Sequence, residues 1–303
     1  MIETKFLETL SAVIDEGGFE RAAKRLNLTQ SAVSQRIRQM EEAVGQPVLT
    51  RTQPPRPTGP GRALLRHARR VGLLENELTA DLARQFKSEG SSGHPEGPWQ
   101  TLALAVNADT LATWFTAAVL PVLVSERVVL DLRVHDQERT LELLRGGEVA
   151  GCVSTRKSPM QGCRAEFLGT MRYHCASAPA FAARWFPQGL TLKAAWSAPA
   201  VVFNRDDNVH DHFLELTLGA SPDSAPRHHV PDSERFVDFV LGNAGYGLIP
   251  HLQASAHLAS GALVDLCPAP LPVPLYWHCW NIPSGLLARV GKALKTAARH
   301  QLS

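Results

Sequence analysis

The chain has 303 residues, 44% of them hydrophobic, with 31 Lys and Arg against 29 Asp and Glu. That length and apolar content exclude a single small module and suit two or three domains around sizeable cores. A net charge of +2 excludes a surface that is basic all over, so any nucleic-acid footprint must be local. Five cysteines, an odd number without a CxxC pair, argue against a disulfide framework. No run approaches the roughly 18 apolar residues of a membrane span, and no charged-then-apolar leader opens the chain, so a cytoplasmic protein without membrane contact is expected.

Residues 1–16 place Phe6, Leu7, Leu10, Val13 and Ile14 at helical spacing, which predicts a first helix. Phe19, Ala22, Ala23 and Leu26 predict a short second helix, and Asn27 and Leu28 turn the chain. Thr29 is placed to cap a third helix whose Val33, Ile37, Met40 and Val44 form its buried stripe. Gln30, Ser31, Ser34, Gln35 and Arg38 then face outward, and Arg36 adds charge. Gln and Arg make paired contacts to base edges while Ser and Arg suit phosphates, so this helix has the chemistry to read DNA. A helical hairpin with a solvated polar face would show the same pattern.

Gly45 ends that helix, an extended segment starts at Pro47, and QPPRPT at 53–58 predicts a rigid turn carrying Arg56 near Arg51. From Gly61 to about Phe86, Leu64, Val71, Leu74, Leu78 and Leu82 line one side of a long amphipathic helix. Leu64, Val71 and Leu78 are spaced for a coiled-coil seam, which points to pairing with a second copy. A Gly-, Ser- and Pro-rich run then marks a hinge. Beyond it, TLALAV (101–106), VVLDLRV (128–134), VAGCVS (149–154) and PAVVF (199–203) alternate with helical segments, the signature of mostly parallel α/β sheets.

In such sheets ligands gather at the carboxyl ends of strands and at helix N-termini. Four loops qualify: Asn107, Asp109 and Thr110 with Trp114 one turn on; Asp136; Ser154 and Thr155; and Asn204, Asp206 and Asp207. Hydroxyls and backbone amides suit a carboxylate and aspartates suit a cation, and a basic amino acid carries both. The expected ligand is lysine or arginine, its α-carboxylate near Thr110, Ser154 or Thr155 and its cation near Asp109, Asp136 or the fourth loop. Aspartates after strands also serve as helix caps. No GxSxG, HExxH or P-loop occurs, GNAGYG reads as a helix stop before strand GLIP, and His228 and His229 would point to opposite sides, so neither an enzyme nor a metal or cofactor is expected.

Residues 19–65, from FERAAKRLNLTQSAVSQRIRQMEEAV to GRALL, resemble the N-terminal winged helix-turn-helix of the LysR-type transcriptional regulators. LALAVNADTLATWF, RGGEVAGCVS, GYGLIPHLQ and LYWHCW resemble the ArgP/LysG branch, regulators of basic amino-acid export. The resemblance implies a winged helix-turn-helix over 1–60, a linker and dimerisation helix over 61–90 and a hinge over 91–98. It also implies an α/β effector domain of two periplasmic-binding-protein-like lobes, 99–168 with 269–303 and 169–268. Arg56 would enter a minor groove and Arg51 approach a phosphate. The implied partners are double-stranded promoter DNA, a small effector and further copies of the chain as dimer or tetramer, and RNA polymerase is a further partner that such a regulator admits. The implied target is an amino-acid exporter gene. Because some LysR-type regulators sense peroxide through paired cysteines, a redox reading through Cys163 and Cys175 stands beside the amino-acid one.

Overall fold

The computed structural model describes residues 3–85, 99–221 and 224–302; the expected hinge over 91–98 and the linker residues 86–90 lie outside the described residues. Four helices open the chain: α1 (Thr4–Asp15), α2 (Phe19–Leu26), α3 (Gln30–Val44) and α4 (Gly59–Gln85). The first three exist because each buries one apolar stripe against the others, and Leu10, Val13, Ala22, Val33 and Met40 are fully enclosed. Thr29 caps α3, its Oγ1 accepting the Ala32 N–H at 3.2 Å. Between α3 and α4, the Thr50 N–H donates to the Arg56 carbonyl at 2.7 Å and Leu49 bridges Pro57, which turns the proline segment into a short hairpin wing.

The effector part runs β1 (Gln100–Val106), α5 (Ala108–Thr110), a π-turn over Leu111–Phe115, α6 (Thr116–Ser125), β2 (Val128–Val134), α7 (Gln137–Gly146), β3 (Gly151–Ser154) and β4 (Cys163–Ser177). It continues through α8 (Pro179–Trp185), α9 (Leu192–Ser197), β5 (Ala200–Val202), α10 (Val209–Leu218), β6 (Arg227–His229), α11 (Ser233–Leu241) and β7 (Gly247–Pro250). It ends with α12 (His251–Ser260), β8 (Val264–Asp265), β9 (Leu271–Trp280) and α13 (Gly285–Gln301). The main sheet has the order β2-β1-β3-β9-β4-β7, β8 also pairs with β4, and β5 and β6 pair separately.

β1 lies parallel to β2 and β3, and β5 parallel to β6, as the alternation of strands and helices predicts. β4 and β9 depart from that expectation, since they pair antiparallel with each other, β9 also with β3, and β4 also with β7 and β8. With its 15 residues, β4 leaves one lobe and enters the other, and β9 makes the return. Its sequence, CRAEFLGTMRYHCAS, has neither a continuous apolar run nor strict alternation, so it escapes pattern reading. The ladder shifts register between Phe167 and Gly169. There the C-terminus crosses so closely that a Cβ on Gly169 would lie 2.6 Å from the Leu302 Cβ.

α4 carries the expected row of Leu64, Val71, Leu74, Leu78 and Leu82, none of it fully buried within the chain, and adds two buried leucines off that row. It sends Leu65 into the N-terminal core and Leu73 into the effector core, while Leu78 (58%) and Leu82 (44%) remain exposed. Serving two cores requires two faces, which a single periodic stripe does not express. The helical stretch Ala108–Ser125 is long and apolar enough, by length and composition, to cross a membrane, which a search for unbroken apolar runs overlooks. In the fold it places Trp114, Phe115, Ala118 and Val119 in the effector core.

α4 is fastened to the effector domain along its length. Arg66 donates to the Arg145 carbonyl at 2.8 Å, Arg69 to the Gly147 carbonyl at 2.8 Å and Arg70 to the Gly162 carbonyl at 3.1 Å. Farther along, the Glu77 carboxylate accepts the N–H groups of Gly285 (2.9 Å) and Leu286 (3.1 Å) and the Ser284 hydroxyl, so α4 caps α13. Gly147 ends α7 at φ 74°, and a Cβ there would lie 2.7 Å from the Arg66 Cα. Gly147→Ala is therefore expected to destabilise the chain by about 1–3 kcal/mol, read as a lower denaturant midpoint with the DNA-reading residues untouched.

Candidate DNA-reading face and effector cleft

On α3, Gln30, Ser31, Gln35 and Arg38 are exposed and Ser34 is partly so, opposite the buried Val33, Ile37 and Met40. Thr29 hydrogen-bonds the Ser31 hydroxyl at 2.9 Å, which orders the start of this face. Arg36 does not belong to it. At about 100° per residue it turns toward α1, and its guanidinium reaches Thr9 Oγ1 at 3.4 Å. On the wing, Arg51 and Arg56 are exposed, and the Arg56 backbone is held on both sides by Thr50, through N–H to Oγ1 at 3.0 Å and C=O from N–H at 2.7 Å. Glu41, which by sequence only offsets the positive charge, accepts the Val48 N–H at 2.9 Å and so ties the wing to α3.

Between the two lobes lies a cleft of about 790 Å³. Asn107, Asp109, Asp136, Glu142 and Thr155 come to it from the first lobe, Asp206, Asp207, His210 and Ser233 from the second, and Tyr173 and Val273 from the crossing strands. Asn107 caps α5 through the Thr110 N–H at 3.0 Å, and Asp136 caps α7 through the Arg139 N–H at 2.8 Å, so both are helix caps and cleft residues at once. Asp207 accepts the Val209 N–H at 3.0 Å and the Phe203 N–H at 3.3 Å, and burial pushes its carboxyl above the usual value. Among the described residues, the lining carries five carboxylates, Asp109, Asp136, Glu142, Asp206 and Asp207, against two guanidiniums, Arg139 and Arg205. Arg139 is itself paired with Glu142 at 2.7 Å.

Asp109 joins three parts of the domain. Its carboxylate accepts the Tyr173 hydroxyl at 2.8 Å from β4 and the Ser233 hydroxyl at 2.6 Å from α11. Burial pushes its carboxyl up from the ordinary value, and these two hydrogen bonds pull against that shift. No sequence signal marks Tyr173, which sits in the unread strand, or Ser233, which follows the cap Asp232.

Four expected ligand residues do not line the cleft. Trp114, about 140° around the helix from Asp109, is 1% exposed and packs in the effector core. Thr110 is fully buried, Ser154 is 1% exposed with its Oγ accepting the Arg156 N–H at 3.3 Å, and Asn204 turns its Oδ1 to the Asp206 N–H at 2.8 Å. Of the three hydroxyls expected near a carboxylate, only Thr155 faces the cleft.

Residues 4–62 match the family described as bacterial regulatory helix-turn-helix protein, lysR family, and residues 97–298 match the LysR substrate binding domain. The chain belongs to the LysR family. It is 46% identical over 300 residues to the HTH-type transcriptional regulator ArgP of Pseudomonas aeruginosa, covering 98% of this chain and 96% of that one. Among solved structures it resembles ArgP from Mycobacterium tuberculosis at 36% identity and a TM-score of 0.87, covering 100% of this chain and 99% of that one. It also resembles full-length LysG from Corynebacterium glutamicum with bound effector Arg, at 34% identity and a TM-score of 0.80, covering 99% of each chain. This LysR-family chain is thus a DNA-binding transcriptional regulator and not an enzyme.

The cysteines of this LysR-family regulator do not support the alternative redox reading. Cys163 and Cys175 stand at opposite ends of β4, twelve residues or about 40 Å apart, and all five cysteines are free. Burial pushes the thiols of Cys152, Cys163, Cys175 and Cys279 up, away from the thiolate that redox chemistry needs. Among the described residues no group of three or more His, Cys, Asp or Glu side chains is arranged to hold a metal ion.

Two measurements follow from this geometry. Arg56→Ala should reduce the slope of log affinity against log salt for duplex DNA by about 1, whereas Gln35→Ala should leave the slope unchanged and weaken sequence preference. For Asp109, a carboxyl raised on folding stabilises most below its unfolded pKa and loses that contribution as pH rises through the folded value. The Tm difference between wild type and Asp109→Asn should accordingly shrink from pH 4 to pH 8; a difference that grows with pH would show that the carboxylate is held charged.

Proposed function

We propose that this regulator reads promoter DNA with α3 and the wing and that a basic amino acid, arginine before lysine, binds between the effector lobes to control that binding. Thr29, Gln30, Ser31, Ser34, Gln35 and Arg38 serve the major groove and its flanking phosphates, Arg51 a phosphate and Arg56 the minor groove. The observation that carries the effector reading is the excess of carboxylates in the interlobe cleft. The cationic end faces Asp136, Asp206 and Asp207, and Thr155 with nearby backbone amides meets the α-carboxylate. The arginine bound as effector in the related LysG supports this assignment.

The functional unit is a homo-oligomer in the cytoplasm, paired through the face of α4 that exposes Leu78 and Leu82, and the target is an amino-acid exporter gene. The effector acts by preferring the lobe arrangement in which the facing carboxylates are close, because only differential affinity shifts an equilibrium.

Isothermal titration tests this directly. Arginine should bind wild type, and Asp136→Asn, which keeps a helix cap but loses the charge, should bind about tenfold more weakly. Unchanged binding in both Asp136→Asn and Asp206→Asn would sink the cleft assignment.

A further inference from the structure

His210 is the second residue of α10 and forms part of the second lobe's wall of the cleft. It is 3% exposed, and neither ring nitrogen has a hydrogen-bond partner among the described residues. A buried polar group left unpaired costs about 1–3 kcal/mol, so keeping one beside a cavity needs a reason. Packing supplies only part of it. The Tyr246 ring lies 5.2 Å away at 57°, a contact that a phenylalanine would make equally well. On the next residue, Asp211 is forked onto Arg227, at 2.9 Å to Nη1 and 2.5 Å to Nη2, so that carboxylate is committed elsewhere.

Burial, reinforced by the Arg227 charge, lowers the His210 pKa to about 4. The imidazole is therefore neutral near pH 7, with one nitrogen donating and the other accepting. Asp207, three residues earlier, is in the same wall. The wall thus holds a carboxylate and, buried beneath its surface, an unpaired uncharged acceptor, a pair that suits a ligand carrying only donors and reaching into the wall. A guanidinium is a planar fork of five N–H donors that can meet both, whereas an ammonium is a compact point charge that the carboxylate alone can satisfy.

Resting on the effector reading above and deepening it, we propose that His210 sets this cleft's preference for arginine over lysine, its unprotonated ring nitrogen accepting one guanidinium N–H while Asp207 takes another. The test is titration of full-length wild type, His210→Phe and His210→Gln with arginine and with lysine. Phenylalanine keeps the ring against Tyr246 and removes the acceptor, and glutamine restores one. Arginine binding should weaken about tenfold in His210→Phe and lysine binding by less than about twofold, with His210→Gln regaining part of the preference.

Unchanged arginine binding, or equal weakening for both amino acids, overturns the role of His210 while leaving the cleft reading intact. A wild type that binds neither amino acid overturns both. Should the phenylalanine variant fail to fold, the imidazole nitrogen resonances of His210 in wild type decide: a shift with arginine and not with lysine supports the assignment, and no shift overturns it.

Discussion

The antiparallel ladder between β4 and β9 is the constraint on which the rest of the effector domain depends. It pairs Cys163 with Trp280 at one end and Tyr173 with Leu271 at the other, and both strands pass from lobe to lobe. Two lobes joined by hydrogen-bonded strands cannot separate; they can only twist or bend about the ladder, and the break in register between Phe167 and Gly169 is where its pairing is least regular. The cleft opens beside this ladder, which contributes Tyr173 to it directly.

The attachment of α4 decides how a change in that cleft reaches DNA. Arg66, Arg69 and Arg70 bind carbonyls of the first lobe, and Arg69 also pairs with Asp15 of α1 at 2.7 Å. One guanidinium therefore touches the helical linker's neighbours on both sides, the DNA-binding head and the effector domain. The first lobe, α4 and the head are fastened together by these contacts, and the second lobe hangs on the strands. A ligand that moves the second lobe relative to the first changes the shape of the whole chain without altering the residues on α3.

Electrostatics give the cleft a physical reason to respond to a cation. Asp109, Asp136, Asp206 and Asp207 face a shared space, and burial pushes the carboxyls of Asp109 and Asp207 up. A cation between such groups favours the arrangement that brings them together, and a neutral ligand does not. The hydroxyls of Tyr173 and Ser233 hold Asp109 across the lobe junction, so this carboxyl is a structural tie as much as a ligand group.

The sequence by itself determined the elements whose physics is local. The Thr29 cap, the stripe of Val33, Ile37 and Met40, the proline wing and the short strands β1, β2, β3 and β5 all follow from periodicity, capping and turn chemistry within a few residues. It also placed Asn107, Asp109, Asp136, Thr155 and Asp206 at the cleft, because strand ends and helix starts are where such sites form. Only the tertiary structure decided which side chains face inward from those loops, sending Trp114 to the core and Arg36 to α1, and bringing Tyr173, His210 and Ser233 into the site. The reason is that these placements depend on partners far away in the chain: β4 takes its register from β9 about a hundred residues later, and α4 takes its two buried faces from two separate cores, and neither distance nor partner is written in local spacing.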